Sequence, residues 1–317
     1  MDMRRQAAFE YAKKEISKSE DTKYELYLDD FKIPNGVSQH AGTVGTGLNI
    51  ESKRTEKAII KAVDDRNRQL HDPATGGDDN LELGNQSLTG EQVFANLKRD
   101  DRALTKNFDA LVTQWNGMNI KQRLAWQAAN NAGDKVENFL FVMNNRYRDE
   151  AIARGEFTTL NSEVGDAALN ILINQSLDTV AKNYAAVMPH MNHVHFGVIA
   201  DLNFNGPSLV SKRTNFFKNL NDQARVINRD IEKHFGTNPV NMSRPDWASI
   251  QDEIGNLPSK MGSRIDWHRS IYEVYRGSNR DGLAGIQARR NQQAEDLVIA
   301  TGQDPSDMTP YESRTRP

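Results

Sequence analysis

The residues near the start of the chain with the clearest chemical potential are three carboxylates, Glu20, Asp29 and Asp30. Hydrolysis of a glycosidic bond uses such a pair: an acid protonates the leaving oxygen, and a second carboxylate activates water or attacks the sugar. The chain has 43 acidic residues, so pairs at this spacing also arise by chance, and their default position is a solvated surface. The spacing alone therefore indicates only which chemistry is available.

Periodicity predicts the elements that must position these carboxylates. Ala8, Ala12 and Ile16 recur every four residues, which predicts a helix that ends near residues 17–20. A polar, glycine-containing stretch follows over residues 29–42. The alternation in residues 43–50 predicts a short strand, and its two glycines indicate close approach by other backbone.

The rest of the chain is predicted to be mainly helical after a loop over residues 72–84. Thr89 and Gln92 match a capping box at the start of a long helix. A second helix is predicted to begin at Asn119 and to stop at Gly133, and another covers residues 166–187. Two apolar stripes at helical spacing stand out, Val93, Leu97, Leu104, Phe108 and Leu111, and Phe217, Leu220, Ala224, Ile227, Ile231 and Phe235. We interpret the second stripe as core-facing, with docking of a partner as the alternative.

Several of these segments together resemble the T-even phage lysozyme family, the muramidases of glycoside hydrolase family 24. The family has a Glu closing its first helix, eight intervening residues before an Asp, a Tyr two places ahead of that Asp, and a Thr-x-Gly-x-Gly strand. Glu20, Tyr27, Asp29 and the Thr43-Val44-Gly45-Thr46-Gly47 run supply these features in order. Residues 88–92 resemble the start of the family's inter-lobe helix, 119–133 its buried central helix, and 282–302 its closing Gly-Leu…Arg-Arg…Glu…Leu…Gly segment.

The resemblance implies a role for each matching residue. Glu20 would be the general acid, Asp29 would hold and help to activate the attacking water, and Thr43 would help to position that water. Such an enzyme would invert the anomeric centre, with its carboxyl groups roughly 6.5–9.5 Å apart, and the pKa of Glu20 would have to be raised. Residues 30–42 form a longer connection than the family has, so the hairpin must be longer, and the choice between Asp29 and Asp30 stays open. Asp21 also stands where the family usually has Gly.

The implied fold class is α+β and lysozyme-like: a small β-containing N-terminal lobe, a larger helical lobe and an inserted, mostly helical subdomain. Residues 1–149 would form the first part of the catalytic domain, 150–264 the insertion, 265–302 the closing helices and 303–317 a flexible tail. We expect the insertion and the tail to bind other virion proteins. No cofactor is implied.

The resemblance favours a muramidase that acts on bacterial peptidoglycan, made in the host cytoplasm, carried in a phage virion and used in the periplasm or cell wall at infection. The alternatives are a structural virion or tail protein with an inactive lysozyme-like fold, and a cytoplasmically made endolysin that acts at host lysis.

Other residues that could carry chemistry also have ordinary structural roles. His193 and His195, in the run 190–197, would face one side of a strand at a spacing that zinc ligands use. We nevertheless expect hydrogen-bonded histidines in a loop and short strand and no metal, and a metallopeptidase is the alternative. Sugar stacking and core packing are both open to the four tryptophans, Trp115, Trp126, Trp247 and Trp267, with packing preferred. Arg289 and Arg290 are interpreted as a pair that braces the lobes, with a ligand site as the alternative.

The amino-acid composition limits which partners, sites and anchors the chain can have. The net charge of −3 does not favour nucleic acid as the main partner. The absence of cysteine excludes disulfides, thiolate zinc sites and cysteine nucleophiles. The start of the sequence lacks the apolar segment of a signal peptide, and no apolar run is long enough for a membrane span, so we expect no stable membrane anchor.

Overall fold

The structure is a computed structural model that describes residues 3–19, 23–32, 39–45, 48–70, 88–131, 136–254, 265–267, 270–274 and 284–302. This part of the chain is mostly helical. It divides into two compact units, a terminal unit of Met1–Ser19 with Ile173–Pro317 and a middle unit of Glu20–Leu172. These boundaries differ from the predicted ones at residues 149 and 264, and the predicted division remains a prediction.

The middle unit contains the described strands and five helices or parts of helices. In chain order they are β1 (Lys23–Lys32), β2 (Gln39–Gly45), β3 (Leu48–Asn49), α2 (Lys53–Leu70), α3 (Gly90–Gly117), α4 (Ile120–Asn130), α5 (Val136–Ala153) and the first part of α6 (Ser162–Asn183). The long helix α3 packs against α2 and α5, and β1 lies against α3 and α5. Helix α3 thus forms the centre of this unit.

The capping box predicted at the start of α3 is present. The Thr89 hydroxyl accepts the Gln92 N–H, and the Gln92 side chain accepts the Thr89 N–H. Behind it, four members of the predicted stripe are buried and Val93 is half-buried. Those four are Leu97, Leu104, Phe108 and Leu111. The apolar periodicity therefore identified the core face of α3 correctly.

Helix α4 differs from the expectation for a buried central helix. It begins as predicted, with Asn119 in a capping box with Gln122, but it has no buried residue. Ile120 is 74% exposed and Leu124 58% exposed. The helix ends at Asn131 in the left-handed conformation, ahead of the predicted stop Gly133, which lies outside the described residues.

The terminal unit is built around helix α7. Its described elements are α1 (Met3–Ser19), the rest of α6, α7 (His193–Asn205), α8 (Asn215–Phe235), α9 (Arg244–Ile254), a helical segment 270–274 and α10 (Ala284–Ala300), with 3₁₀ turns at Met188–His190 and Pro239–Asn241. Helix α7 packs against α1 and α10 and is buried continuously from His195 to Asn203. On α1, the predicted core residues Ala8, Ala12 and Ile16 are fully buried.

The amphipathic stripe of α8 faces the core, as interpreted from the sequence. Phe217, Leu220, Ala224, Ile227 and Ile231 are buried, and Phe235 is half-buried. Thr214 caps the helix at its start, and Gly236 ends it at a φ of +76°. Among the helices that the structure describes, none has the length and apolar character needed to cross a membrane.

Candidate functional site

A three-stranded antiparallel sheet, in the order β1-β2-β3, carries two of the three predicted catalytic residues. Tyr27 pairs with Thr43 and Asp29 pairs with Ala41, so the predicted residues lie on neighbouring strands. Thr43 also pairs with Asn49 on β3, which places it on the central strand. Thr43 is 2% exposed, and Tyr27 is half-buried. The sheet thus holds the backbone of Thr43 from both sides.

The strand pattern corrects one expectation and describes part of the polar stretch. Residues 29–42 contain the end of β1 and most of β2, and residues 43–50 contribute to two antiparallel strands instead of one. Strand β1 continues past Asp29 to Lys32, and β2 begins at Gln39, ahead of Thr43. Part of the stretch between Asp29 and Thr43 therefore belongs to these two strands.

The pairing also distinguishes the two aspartates. Asp29 is in regular register with Ala41, whereas the register shifts between Asp29 and Lys32. Asp30 falls in that irregular part, where one additional residue on β1 interrupts the ladder. Only the backbone of Asp29 and Asp30 is described, and Glu20 lies outside the described residues.

One buried acid of the middle unit was not predicted. Asp101 on α3 is buried, and burial raises the pKa of its carboxyl, with a contribution from Glu51, while Lys98 and Arg102 act in the opposite direction. A buried carboxyl with a raised pKa is a recognised candidate for proton transfer. The sequence did contain a clue, because Asp101 stands four residues after Leu97 and thus falls within the apolar face of α3.

Asp100, its neighbour, has a structural role. Its carboxylate accepts the Thr158 N–H at 2.7 Å and the Arg99 guanidinium at 2.7 Å and 2.9 Å. Since Asp100 is 1% exposed, these bonds satisfy a carboxylate that would otherwise be costly to bury. Two adjacent aspartates therefore differ in role: one anchors the segment after α5, and the other is a protonatable group.

The terminal unit has a polar cluster of its own between α7 and α10. The Asp201 carboxylate, 1% exposed, accepts hydrogen bonds from Arg289 at 2.6 Å, from Asn205 at 2.8 Å and from Gln293. Arg290 is buried and donates to Gln293 at 2.7 Å. Both arginines are thus engaged in hydrogen bonds within the terminal unit.

The expectation of a loop and strand around the histidines is wrong. His190 ends a 3₁₀ turn, and His193 and His195 lie in the first turn of α7. A helix forms in place of the expected strand because Asn192 is a favourable N-cap, and its side chain accepts the His195 N–H. Burial lowers the pKa of His190, although its hydrogen bond to Asn228 opposes the shift.

No group of three or more histidine, aspartate or glutamate side chains within the described ranges is arranged to hold a metal ion.

The four tryptophans make packing contacts within the protein. Trp115 contacts Trp126 and Phe139 with ring centroids 6.3 Å and 5.0 Å away. Trp247 donates to the Pro189 carbonyl at 2.8 Å, and Trp267 stacks on a histidine.

Comparisons with known proteins add no relative to this picture. The chain matches no protein family, no curated protein and no solved structure.

Proposed function

We propose that this chain is a muramidase, which hydrolyses the β-1,4 bond between N-acetylmuramic acid and N-acetylglucosamine in bacterial peptidoglycan. The occurrence of Glu20, Tyr27, Asp29 and Thr43 in this order along the sequence supports the proposal. The observation that carries it is the register of β1 on β2. Asp29 pairs with Ala41, two residues from Thr43, and the α-carbons of such a diagonal pair are roughly 7–8 Å apart. That spacing suits a carboxylate and a hydroxyl that share one water molecule.

In the proposed reaction, Glu20 gives its proton to the glycosidic oxygen while the bond from that oxygen to C1 breaks. Asp29 takes a proton from the water that attacks C1 on the opposite face, and the Thr43 hydroxyl hydrogen-bonds to that water. The products are a new reducing end of inverted configuration and a free hydroxyl on the leaving sugar. Exchange with solvent then restores the proton of Glu20 and removes that of Asp29.

The proposed fold is α+β and lysozyme-like, with a small β-containing lobe, a larger helical lobe and an inserted helical subdomain. The sheet of β1, β2 and β3 and the predominance of helix support it. The proposed place of action is the bacterial cell wall, reached from a phage virion, with the insertion and the tail bound to other virion proteins. The buried stripe of α8 takes no part in such binding.

The test is the release of reducing ends from purified peptidoglycan by the wild type and by Glu20→Gln, Asp29→Asn and Thr43→Val. We expect Glu20→Gln to lower the rate by about 10²–10⁴-fold, the usual contribution of a general acid. Asp30→Asn is the matched control, because Asp30 follows Asp29 but lies outside the regular register, and it should retain the rate within about twofold. The anomeric form of the first product, followed by NMR, should be inverted.

Equal cleavage by the wild type and Glu20→Gln would show that Glu20 is not the acid and that the match of the first segment is mistaken. Loss of activity in Asp30→Asn with full activity in Asp29→Asn would exchange the two aspartates. If the folded wild type releases no reducing ends, the muramidase proposal fails and the next candidate takes its place.

The second candidate is a structural virion protein that has a lysozyme-like fold and no activity. The observation that favours it is the exposure of Ile120 and Leu124 on α4, where the resemblance implies a buried helix. A helix that the enzyme family uses as core would here be free for contact with other proteins. Both candidates share the fold, so activity and the environment of α4 must be measured separately.

Leu124→Gln reports on the environment of α4. An exposed position changes the free energy of unfolding by less than about 0.5 kcal/mol, whereas loss of a buried leucine costs about 2–5 kcal/mol. Leu140→Gln, on the neighbouring α5, is the matched control because Leu140 is fully buried. A strongly destabilised Leu124→Gln protein would show that α4 is buried, which would remove the observation that favours the second candidate.

A further inference from the structure

The first turn of α7 is closed by a capping box that contains a histidine. Asn192 Oδ1 accepts the His195 N–H at 3.0 Å, and the Asn192 N–H in turn donates to His195 Nδ1 at 3.3 Å. The residue in the position of His195 is usually Glu or Gln, and Gln92 and Gln122 occupy it in the boxes of α3 and α4. An imidazole nitrogen can accept a hydrogen bond only while it carries no proton. The box of α7 therefore depends on the protonation state of His195.

The surroundings of the ring fix one neutral tautomer. Because Nδ1 accepts a hydrogen bond, the proton of neutral His195 must lie on Nε2. That Nε2 is buried and has no hydrogen-bond partner in the part of the chain that the structure describes. The ring is 4% exposed and stacks on Trp267, with centroids 4.2 Å apart and planes inclined by 20°. Nothing described around Nε2 would compensate the positive charge of an imidazolium.

Charged groups lie on α7 itself and on its neighbours, namely α1, α10 and the segment that contains Trp267. On its own helix these are His193, whose charge disfavours protonation of His195, and Asp201, which is engaged with Arg289 of α10. On α1, Arg4 donates to the Met188 and Met191 carbonyls at 2.6 Å and 3.1 Å, just ahead of the box. Asp266 precedes Trp267 and is exposed. On α10, Asp296 accepts the Tyr11 hydroxyl and the Gln292 amide.

We propose that the Asn192–His195 box is a pH-sensitive helix cap. Protonation converts Nδ1 from an acceptor into a donor that faces the Asn192 N–H, so the reciprocal bond breaks, the ring leaves Trp267 and the first turn of α7 opens. Helix α7 packs against both α1 and α10, so the opening exposes the centre of the terminal unit. This device is independent of the proposed glycan hydrolysis.

The titration range follows from burial. Burial, with a further contribution from His193, lowers the pKa of His195 to about 4. Attraction between an imidazolium and the Trp267 ring would act in the opposite direction, but it is a smaller effect than desolvation of a ring that is almost completely buried. The cap therefore stays closed at neutral pH and opens in acid, as the pH approaches 4.

The test compares the wild type with His195→Gln and His193→Gln in hydrogen exchange of the first-turn amides of α7 between pH 7 and pH 4, corrected for intrinsic exchange. Glutamine supplies the same acceptor as in the two other boxes and does not titrate. We expect protection to fall at least tenfold in the wild type and in His193→Gln, and less than twofold in His195→Gln. The ¹⁵N resonances of His195 in the wild type should report a proton on Nε2 at pH 7 and a midpoint well below 6.5.

An equal loss of protection in His195→Gln and the wild type would overturn the proposal, because another group would then control the opening. A proton on Nδ1 at pH 7, or an ordinary midpoint near 6.5, would overturn it as well. The NMR measurement needs only the wild type, so the proposal remains testable if His195→Gln does not fold.

Discussion

Gly90 begins α3 in very close contact with α2, and its replacement by alanine tests that contact. A β-carbon at Gly90 would lie 2.7 Å from the Ile60 α-carbon, 2.8 Å from its carbonyl carbon and closer still to its carbonyl oxygen. Carbon atoms in proteins normally stay roughly 3.5–4.0 Å apart. The Gly90 N–H also donates to Asp64 at 2.8 Å. Alanine must therefore separate the two helices and stretch this bond.

The magnitude follows from two opposing effects. Alanine gains up to about 1 kcal/mol over glycine in a helix interior, and less in the first turn. Overpacking of a closed contact costs about 1–3 kcal/mol, and here the obstructing atoms are backbone and cannot rotate away. We therefore expect Gly90→Ala to lower the free energy of unfolding of the middle unit by about 1–2 kcal/mol.

Gly117, at the other end of α3, is the matched control, since a β-carbon there meets nothing within 4 Å. Gly117→Ala should be neutral or stabilising by less than about 1 kcal/mol. Urea unfolding followed by circular dichroism gives the overall change, and hydrogen exchange of α2 and α3 peptides assigns it to this unit. A Gly90→Ala protein as stable as the wild type would show that α2 and α3 are not in the contact described.

Three further predictions concern stability. Asp201→Ala withdraws the buried acceptor that Arg289 uses, and denaturant unfolding should show a loss of about 3–5 kcal/mol, as for other broken buried ion pairs. Thr89→Ala removes the N-cap of α3 and should cost about 0.5–2 kcal/mol in the same assay. The unfolded state takes up a proton on His195 near pH 6.5, whereas burial delays this in the folded state to about pH 4. Stability should therefore fall as the pH decreases from about 6.5 to 4, by up to about 3 kcal/mol, and His195→Gln should remove this contribution in unfolding measurements along a pH series.

Local sequence patterns correctly predicted the helices that contain a capping box or an apolar periodicity. The capping box of α3, the four-residue repeat of α1 and the stripe of α8 were each recognisable, because caps and apolar periodicity act within a few residues. Strand β1 could also have been predicted, since Tyr24, Leu26 and Leu28 alternate with other residues over its length. The carboxylates within the strand obscured this alternation because they gave the stretch a polar character. The loop and short strand predicted around the histidines were wrong, because an N-cap favours a helix more strongly than a short alternating pattern favours a strand.

Contacts between distant segments set the rest of the candidate site. The pairing of Asp29 with Ala41 and the irregular register next to Asp30 depend on how two strands meet, which neither strand encodes alone. The same holds for Asp101, whose raised pKa comes from burial within the assembled unit. Its position on the apolar face of α3 was visible in the sequence, but the loss of solvent around it was not.

For helix α4, the sequence pattern predicts that a helix forms but does not predict how much of it is buried. An isolated helix of 11 residues is marginal in water, and this one buries none of its residues. Contacts at one face hold it: Trp126 packs on Phe139 with centroids 4.9 Å apart, and Arg123 donates to the Trp115 carbonyl at 3.0 Å while its guanidinium lies over the Trp115 ring. Leu124 lies outside these contacts, although full burial of a leucine would contribute about 1.5–3 kcal/mol. The apolar pattern of α4 therefore predicted that a helix forms, whereas the exposure of Leu124 depends on how the helix packs on α3 and α5.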